Sequence, residues 1–196
     1  MPEKGIVHAQ DFFVRGGLPP PLREIYCARI VSFVLARSHR PLSNSSPVNN
    51  AVLDAIQLAL TGESELARER LTELWTTIPF DDFFHRCVLA HYMADLQTDP
   101  IVELHWDRLA LEAALAASAE AFDGHLPDVT REAFLPSLHL NLASSYERTD
   151  ALDLARWHAK LALAAAVSLP ATPLGETTHA AVVRICARLG VEAGEP

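Results

Sequence analysis

The sequence is poor in cysteine and has no paired cysteine spacing. Cys27, Cys87 and Cys186 are an odd number of widely separated thiols, which excludes a disulfide framework and a zinc knuckle. No run of about 18 uncharged apolar residues occurs, and the N-terminus lacks the apolar segment of a signal peptide. These absences predict a cytoplasmic protein with reduced thiols.

Basic residues are also scarce. The chain has 16 Lys and Arg against 25 Asp and Glu, giving a formal net charge of -9 at pH 7. Such a charge opposes binding to phosphate backbones and anionic lipids, so we expect neither nucleic acid nor membrane as a partner. The sequence contains no His-Glu-x-x-His, Gly-x-Ser-x-Gly or Cys-x-x-Cys motif, and it therefore identifies no reaction.

Stretches of alternating β-branched residues are nearly absent, whereas alanine, leucine, glutamate and arginine are abundant. Propensity and periodicity therefore predict a single all-α domain over residues 1–196. Turn residues divide it into an N-terminal arm at about 1–20, a flanking helix at 22–38, three helix pairs at 48–168 and a C-terminal capping helix at 175–190. The third helix of the pairs is predicted from Asp81 to Gln97, and the fourth from about Pro100 to Phe122.

Small residues recur in register through the three predicted pairs. Each pair has a small residue in its first helix and further packing residues 12, 16 and 19 positions later. The sets are Ala55 with Ala67, Leu71 and Leu74; Ala90 with Val102, Trp106 and Leu109; and Ala143 with Ala155, Ala159 and Ala162. Small side chains let two helix backbones approach closely, so these positions are predicted to lie at helix contacts. The three tryptophans at or near such positions, Trp75, Trp106 and Trp157, are predicted to be core residues.

The third pair resembles the tetratricopeptide repeat. It contains Leu142-Ala143-Ser144-Ser145-Tyr146, followed by Ala155 and by Ala162-Leu163. The first two pairs have Leu58 and Met93 in place of the tyrosine and are degenerate copies. Ala55 and Ala90 are 35 residues apart, but Ala90 and Ala143 are 53 apart, which predicts an insertion near residues 115–135.

The resemblance implies a right-handed α-α superhelix without catalytic activity. Its first helices would line a groove that binds a protein or peptide. By this resemblance, the predicted groove residues of the second and third pairs are Phe84, Cys87, His91, Asp95, Ser144, Glu147 and Arg148. An array of only three pairs also leaves apolar end faces that must be capped or paired, so a homodimer is a second possible assembly.

Cys87, His91 and Asp95 have i, i+4, i+8 spacing, which places a thiol, an imidazole and a carboxylate on one helix face. With His139 from a neighbouring helix they could hold zinc or another transition metal, or form a cysteine nucleophile with its base. The alternative hypothesis is therefore a helical protein that binds a small molecule or metal and could be an enzyme. The structural interpretation is that Cys87 is a small buried hydrophobe and His91 makes an ordinary hydrogen bond.

Overall fold

A computed structural model of the chain describes residues 46–122, 125 and 130–192, and every regular element within this part is helical. The helices are α1 (Pro47–Leu60), α2 (Ser64–Thr77), α3 (Phe83–Asp95), α4 (Pro100–Ala116), α5 (Arg131–Arg148), α6 (Leu152–Ala165) and α7 (Pro173–Leu189), with 3₁₀ turns at Ala119–Phe122 and Ala166–Ser168. The all-α prediction is confirmed. The predicted arm at 1–20 and helix at 22–38 lie outside the described residues. Across the described ranges, no helix is long and apolar enough to cross a membrane.

The helix starts follow the capping chemistry of the sequence. The side chains of Ser46 and Asp99 accept hydrogen bonds from backbone N–H groups in the first turns of α1 and α4, and a proline follows each cap. Thr130 and Thr172 cap α5 and α7 in the same way. These side chains satisfy N–H groups that have no partner within a helix. At the other end of α7, Gly190 has a φ of 66°, a left-handed conformation that costs glycine little.

Consecutive helices pack as three pairs, α1 with α2, α3 with α4 and α5 with α6. The next helix in the chain then packs on each pair: α3 contacts α1 and α2, α5 contacts α4, and α7 contacts α5 and α6. The predicted small residues Ala55, Ala67, Ala90, Ala143 and Ala155 are all buried. They lie at the positions where close helix approach requires a short side chain.

The middle pair differs from the predicted register by one residue. Val102, the expected small contact residue of α4, is 40% exposed, whereas Glu103, Asp107 and Ala110 are buried. The connection between α3 and α4 has four residues (96–99), whereas those after α1 and α5 have three (61–63 and 149–151). One extra residue rotates every side chain of the second helix by about 100° relative to the prediction, and Val102 turns outward.

The predicted helix from Pro100 to Phe122 is too long. α4 ends at Ala116, and the chain returns as the 3₁₀ turn Ala119–Phe122. The ring of Phe122 is fully buried, with its centroid 5.2 Å from that of Phe84 in α3 and 6.3 Å from that of Phe134 in α5. Burial of this ring between two first helices outweighs the helix propensity of the alanine-rich segment.

The three tryptophans do not share one environment. Trp75 and Trp106 are half-buried and pack edge to face, with ring centroids 5.1 Å apart. Trp157 is 54% exposed, so its prediction as a core residue is wrong. It lies on the outer face of α6, whose inner face is formed by small residues and His158.

The first turn of α7 lies very close to the connection that precedes it. A Cβ atom built on Gly175, in the first turn of α7, would lie 2.0 Å from the carbonyl oxygen of Pro170. No other residue fits there without movement of the backbone. Along the same helix Val182, Ile185 and Cys186 are buried, whereas Val183 is exposed.

Candidate functional site

The predicted groove residues are largely covered. Phe84, Cys87 and His91 of α3 are buried, Asp95, Ser144 and Glu147 are half-buried, and Arg148 is exposed. Glu147 accepts hydrogen bonds from the Arg188 guanidinium of α7 at 2.7 to 3.0 Å.

Cys87 has no environment that would activate a thiolate. It is fully buried, and desolvation raises the pKa of its thiol far above the usual value. Reactive cysteines need a nearby positive charge or a helix N-terminus that lowers the thiol pKa. Cys87 therefore behaves as a small core residue in this structure.

The four residues of the predicted metal set do not converge. His139 pairs with His158 of α6, with 3.0 Å between their Nδ1 atoms, and the Asn141 amide lies 3.3 Å from His91 Nδ1. Within the described residues, no group of three or more His, Cys, Asp or Glu side chains could hold a metal ion. His105, a further histidine of the middle pair, is exposed on α4.

A buried polar cluster occupies the contact of α3, α4 and α5, and we call it the polar seam. Its members are His91, Glu103, Asp107, Asn141, Ser145 and Arg148. All of them are buried except Arg148, whose side chain is 40% exposed. Asn141, Ser145 and Arg148 lie at i, i+4 and i+7 of α5 and so share one face of that helix.

Hydrogen bonds across the polar seam join α4 to α5. Ser145 Oγ donates to Asp107 Oδ2 at 2.6 Å and lies 3.2 Å from Glu103 Oε1. The guanidinium of Arg148 forms an ion pair with Glu103. Buried carboxylates are costly unless they are paired and hydrogen-bonded, and these contacts offset that cost for Glu103 and Asp107. The polar seam therefore specifies one relative position of the two helices.

The buried carboxylates of the polar seam were not predicted from the sequence. The predicted register placed Val102 and Trp106 at the inward positions of α4 that Glu103 and Asp107 occupy. One sequence feature could have revealed it: Glu103 and Asp107 are i, i+4 on a helix whose other inward positions include Ala110 and Ala114. An acidic pair in line with an alanine stripe indicates buried carboxylates, provided that the register is set by the length of the preceding connection.

A second buried polar contact joins α5 and α6. His139 and His158 are both buried, and the Tyr146 ring stacks on His158 with centroids 5.4 Å apart. Burial and the neighbouring His139 lower the pKa of His158 to about 4, and burial also lowers the pKa of His139. Both imidazoles are therefore neutral near pH 7, and one Nδ1–H donates to the other Nδ1.

A third cluster connects the segment after α4 to the first pair. His85 Nδ1 lies 2.7 Å from an Asp82 carboxylate oxygen, and its Nε2 contacts the Asn49 side chain of α1. His125 Nδ1 is 3.2 Å from the same Asn49 oxygen, and its ring stacks on Phe84 with centroids 4.3 Å apart. These contacts connect α1, α3 and the segment after α4.

The surface over α2, α3 and α4 carries an aromatic and arginine cluster, which we call the Phe80 surface: Trp75, Phe80, Arg86 and Trp106. Phe80, in the connection before α3, is 81% exposed. The guanidinium carbon of Arg86 lies 4.4 Å from the Trp75 ring centroid and 5.6 Å from that of Phe80. Arg86 also donates to the carbonyl oxygens of Pro79 and Ile78 at 3.0 and 3.1 Å, so its planar group is fixed.

No protein-family model matches the chain, and neither a curated protein nor a solved structure matches it.

Proposed function

We propose that this protein is a non-enzymatic, tetratricopeptide-like scaffold that binds a protein or peptide partner. The repeated burial within its helix pairs supports the architectural part of the proposal. Counted from the start of each second helix, the fourth residue is buried in all three pairs: Ala67, Glu103 and Ala155. Three pairs with the same inward position are what stacked helical repeats require.

The Phe80 surface carries the binding part of the proposal. An exposed phenylalanine costs solubility, and here it stands beside a fixed arginine and a tryptophan pair. Aromatic and arginine side chains are enriched among the residues that contribute most to protein interfaces. The Arg86 group is preorganised by two carbonyl oxygens and two rings, so little entropy remains to be lost when a partner binds.

This proposal moves the binding surface away from the predicted groove. Phe84, Cys87 and His91 already contact other parts of the chain and have little surface left to offer a partner. The Phe80 surface lies at the connection between the first and second pairs, on the second-helix side of the array, where Trp75 and Trp106 are half-buried.

Site-specific photo-crosslinking tests the proposal. A benzophenone amino acid would replace Phe80 in one protein and Glu112, an exposed residue of α4, in the control. We expect Phe80 to crosslink to one protein in an extract of the source cells, and Glu112 not to. The captured protein is then purified and titrated against the scaffold. If every adduct at position 80 also forms at position 112, or if the purified candidate shows no saturable binding, the proposal is wrong.

A further inference from the structure

The first turn of every second helix presents an aliphatic side chain to solvent. The third residue of α2, α4 and α6 is Leu66, Val102 and Leu154, and their exposures are 40%, 40% and 45%. The residue that follows each of them is buried. One exposed aliphatic residue per pair, at the same position of the same helix, forms a repeated feature that we call the aliphatic row.

Contacts between the pairs place these first turns on one side of the molecule. Arg68 of α2 donates to the carbonyl oxygen of Leu96, at the start of the connection into α4, at 2.7 Å. Arg148, at the end of α5, pairs with Glu103 in the first turn of α4. The three connections 61–63, 96–99 and 149–151 therefore lie on the same side, with the aliphatic row beside them.

Each of these connections also carries an exposed carboxylate. Glu63, Asp99 and Asp150 precede the aliphatic residue of their pair by three or four positions. The nearby arginines interact with groups of the chain itself: Arg68 pairs with Glu65, and Arg156 pairs with Asp153 and donates to the Leu189 carbonyl. A line of carboxylates thus accompanies the aliphatic row from the first pair to the third.

We infer that the aliphatic row and its line of carboxylates form a docking surface for a basic amphipathic helix of another protein. The aliphatic residues of the partner helix contact Leu66, Val102 and Leu154. Its lysines or arginines face Glu63, Asp99 and Asp150. The inference rests on the proposed function as a scaffold and names a partner class for a second surface of it. An amphipathic helix suits the pattern because it presents an apolar stripe flanked by charge on one side. The charge of -9 on the whole chain adds long-range attraction for a basic partner.

Fluorescence anisotropy with a labelled helical peptide tests the inference. The probe is an 18-residue leucine and lysine peptide with leucines at i, i+3, i+4 and i+7, about 27 Å long. Its matched control has glutamate in place of every lysine. We expect saturable binding of the lysine peptide, weaker binding at higher salt, and at least tenfold weaker binding of the glutamate peptide.

Variants assign the binding to the row. Leu66→Ser, Val102→Ser and Leu154→Ser together should raise the Kd at least tenfold, because the contacts with the apolar stripe are lost. Glu63→Gln with Asp150→Asn should raise it about threefold, whereas Asp99 is kept because it caps α4. A control with Leu115→Ser and Val167→Ser, two exposed residues elsewhere, should leave it unchanged. Circular dichroism checks that each variant stays folded.

The inference is overturned by any of three results: no saturable binding of the lysine peptide, equal binding of both peptides, or an unchanged Kd in the triple variant. Phe80→Ala separates this test from that of the proposed function, because it should not alter peptide binding. If a partner binds at Phe80 but the lysine peptide does not bind, the proposed scaffold function is retained and the second docking surface is rejected.

Discussion

The helices α4 and α6 hold corresponding places in the middle and third pairs, yet they fill the same positions with opposite chemistry. The fourth and eighth residues are Glu103 and Asp107 in α4, and Ala155 and Ala159 in α6, and all four are buried. Alanine permits close approach of two helices and needs no hydrogen-bond partner on the neighbouring helix. Each carboxylate demands a donor, which Ser145 and Arg148 of α5 supply.

The difference shows how one architecture can tolerate two kinds of contact. At the alanine positions of α6 the contact is stabilised by close packing, and the methyl groups of Ala155 and Ala159 need no hydrogen-bond partner. The polar seam is satisfied in one arrangement and becomes costly in others, because a buried carboxylate without a donor is destabilising. We therefore expect the two contacts to respond differently to mutation, pH and denaturant.

Transferring a carboxylate into the alanine contact should have the largest effect. Ala159→Asp puts a carboxylate at the position in α6 that Asp107 occupies in α4, next to the buried Cys186 of α7. We expect a loss of about 4 kcal/mol or more in the free energy of unfolding, measured by urea denaturation. Ala164→Asp, on the exposed side of α6, should cost less than about 1 kcal/mol. Similar values for both variants would show that the contact is not tightly packed.

Gly175→Ala should disrupt the close contact between the first turn of α7 and the connection that precedes it. The new Cβ would overlap the Pro170 carbonyl oxygen, and either backbone must shift. Overpacking of this kind costs about 1–3 kcal/mol, which a thermal melt would register as a lower Tm. Glu176→Ala, at the exposed neighbouring position, provides the comparison. An unchanged Tm in Gly175→Ala would contradict the close approach.

The histidine pair makes the third pair sensitive to acid. The pKa of His158 is lowered to about 4 in the folded chain, against about 6.5 when unfolded. The unfolded state therefore binds more protons between these values, so the stability contributed by neutral His158 is complete above about pH 6.5 and is lost as the pH falls towards 4. The loss between pH 6.5 and pH 4 should reach about 2.5 kcal/mol.

His158→Phe retains a ring for Tyr146 to stack on but cannot titrate. Its unfolding free energy should fall less steeply between pH 6.5 and 4 than that of the wild type, measured by urea titration at several pH values. Equal slopes for the two proteins would show that His158 is not held neutral by burial.

Ser145→Ala tests the polar seam with the smallest change. It removes the hydroxyl that donates to Asp107, and we expect a loss of about 1–2 kcal/mol. Ser144→Ala, the half-buried neighbour, should be nearly neutral under the same denaturation assay. If both substitutions were neutral, the hydrogen bond from Ser145 to Asp107 would contribute nothing to the packing of α4 and α5.

Local chemistry made much of the fold predictable. The pairs Ser46-Pro47 and Asp99-Pro100 are typical helix starts, a capping side chain followed by proline, and α1 and α4 begin at these prolines. The end of α4 was not predictable in this way. It depends on Phe122 finding a place between Phe84 and Phe134, a tertiary contact that no local pattern encodes.

The candidate sites were predicted less well. In the middle pair, one additional residue in the connection accounts for the error. The four-residue connection 96–99 rotates α4, which turns Val102 outward and brings Glu103 and Asp107 into the core. The assignment of His139 to a metal set failed to anticipate its partner, because His158 lies 19 residues away on a different helix. The Phe80 surface was not predicted because its members come from α2, α3, α4 and a connection.

The central claim is that the Phe80 surface binds a protein partner, and isothermal titration of the purified partner tests it most directly. The titrated proteins would be the wild type, Phe80→Ala, and Val167→Ala as an exposed control of similar kind. We predict a Kd at least tenfold higher for Phe80→Ala and unchanged for Val167→Ala, since a central aromatic contact is worth about 1.4 kcal/mol or more. Equal affinities for all three proteins would contradict the claim.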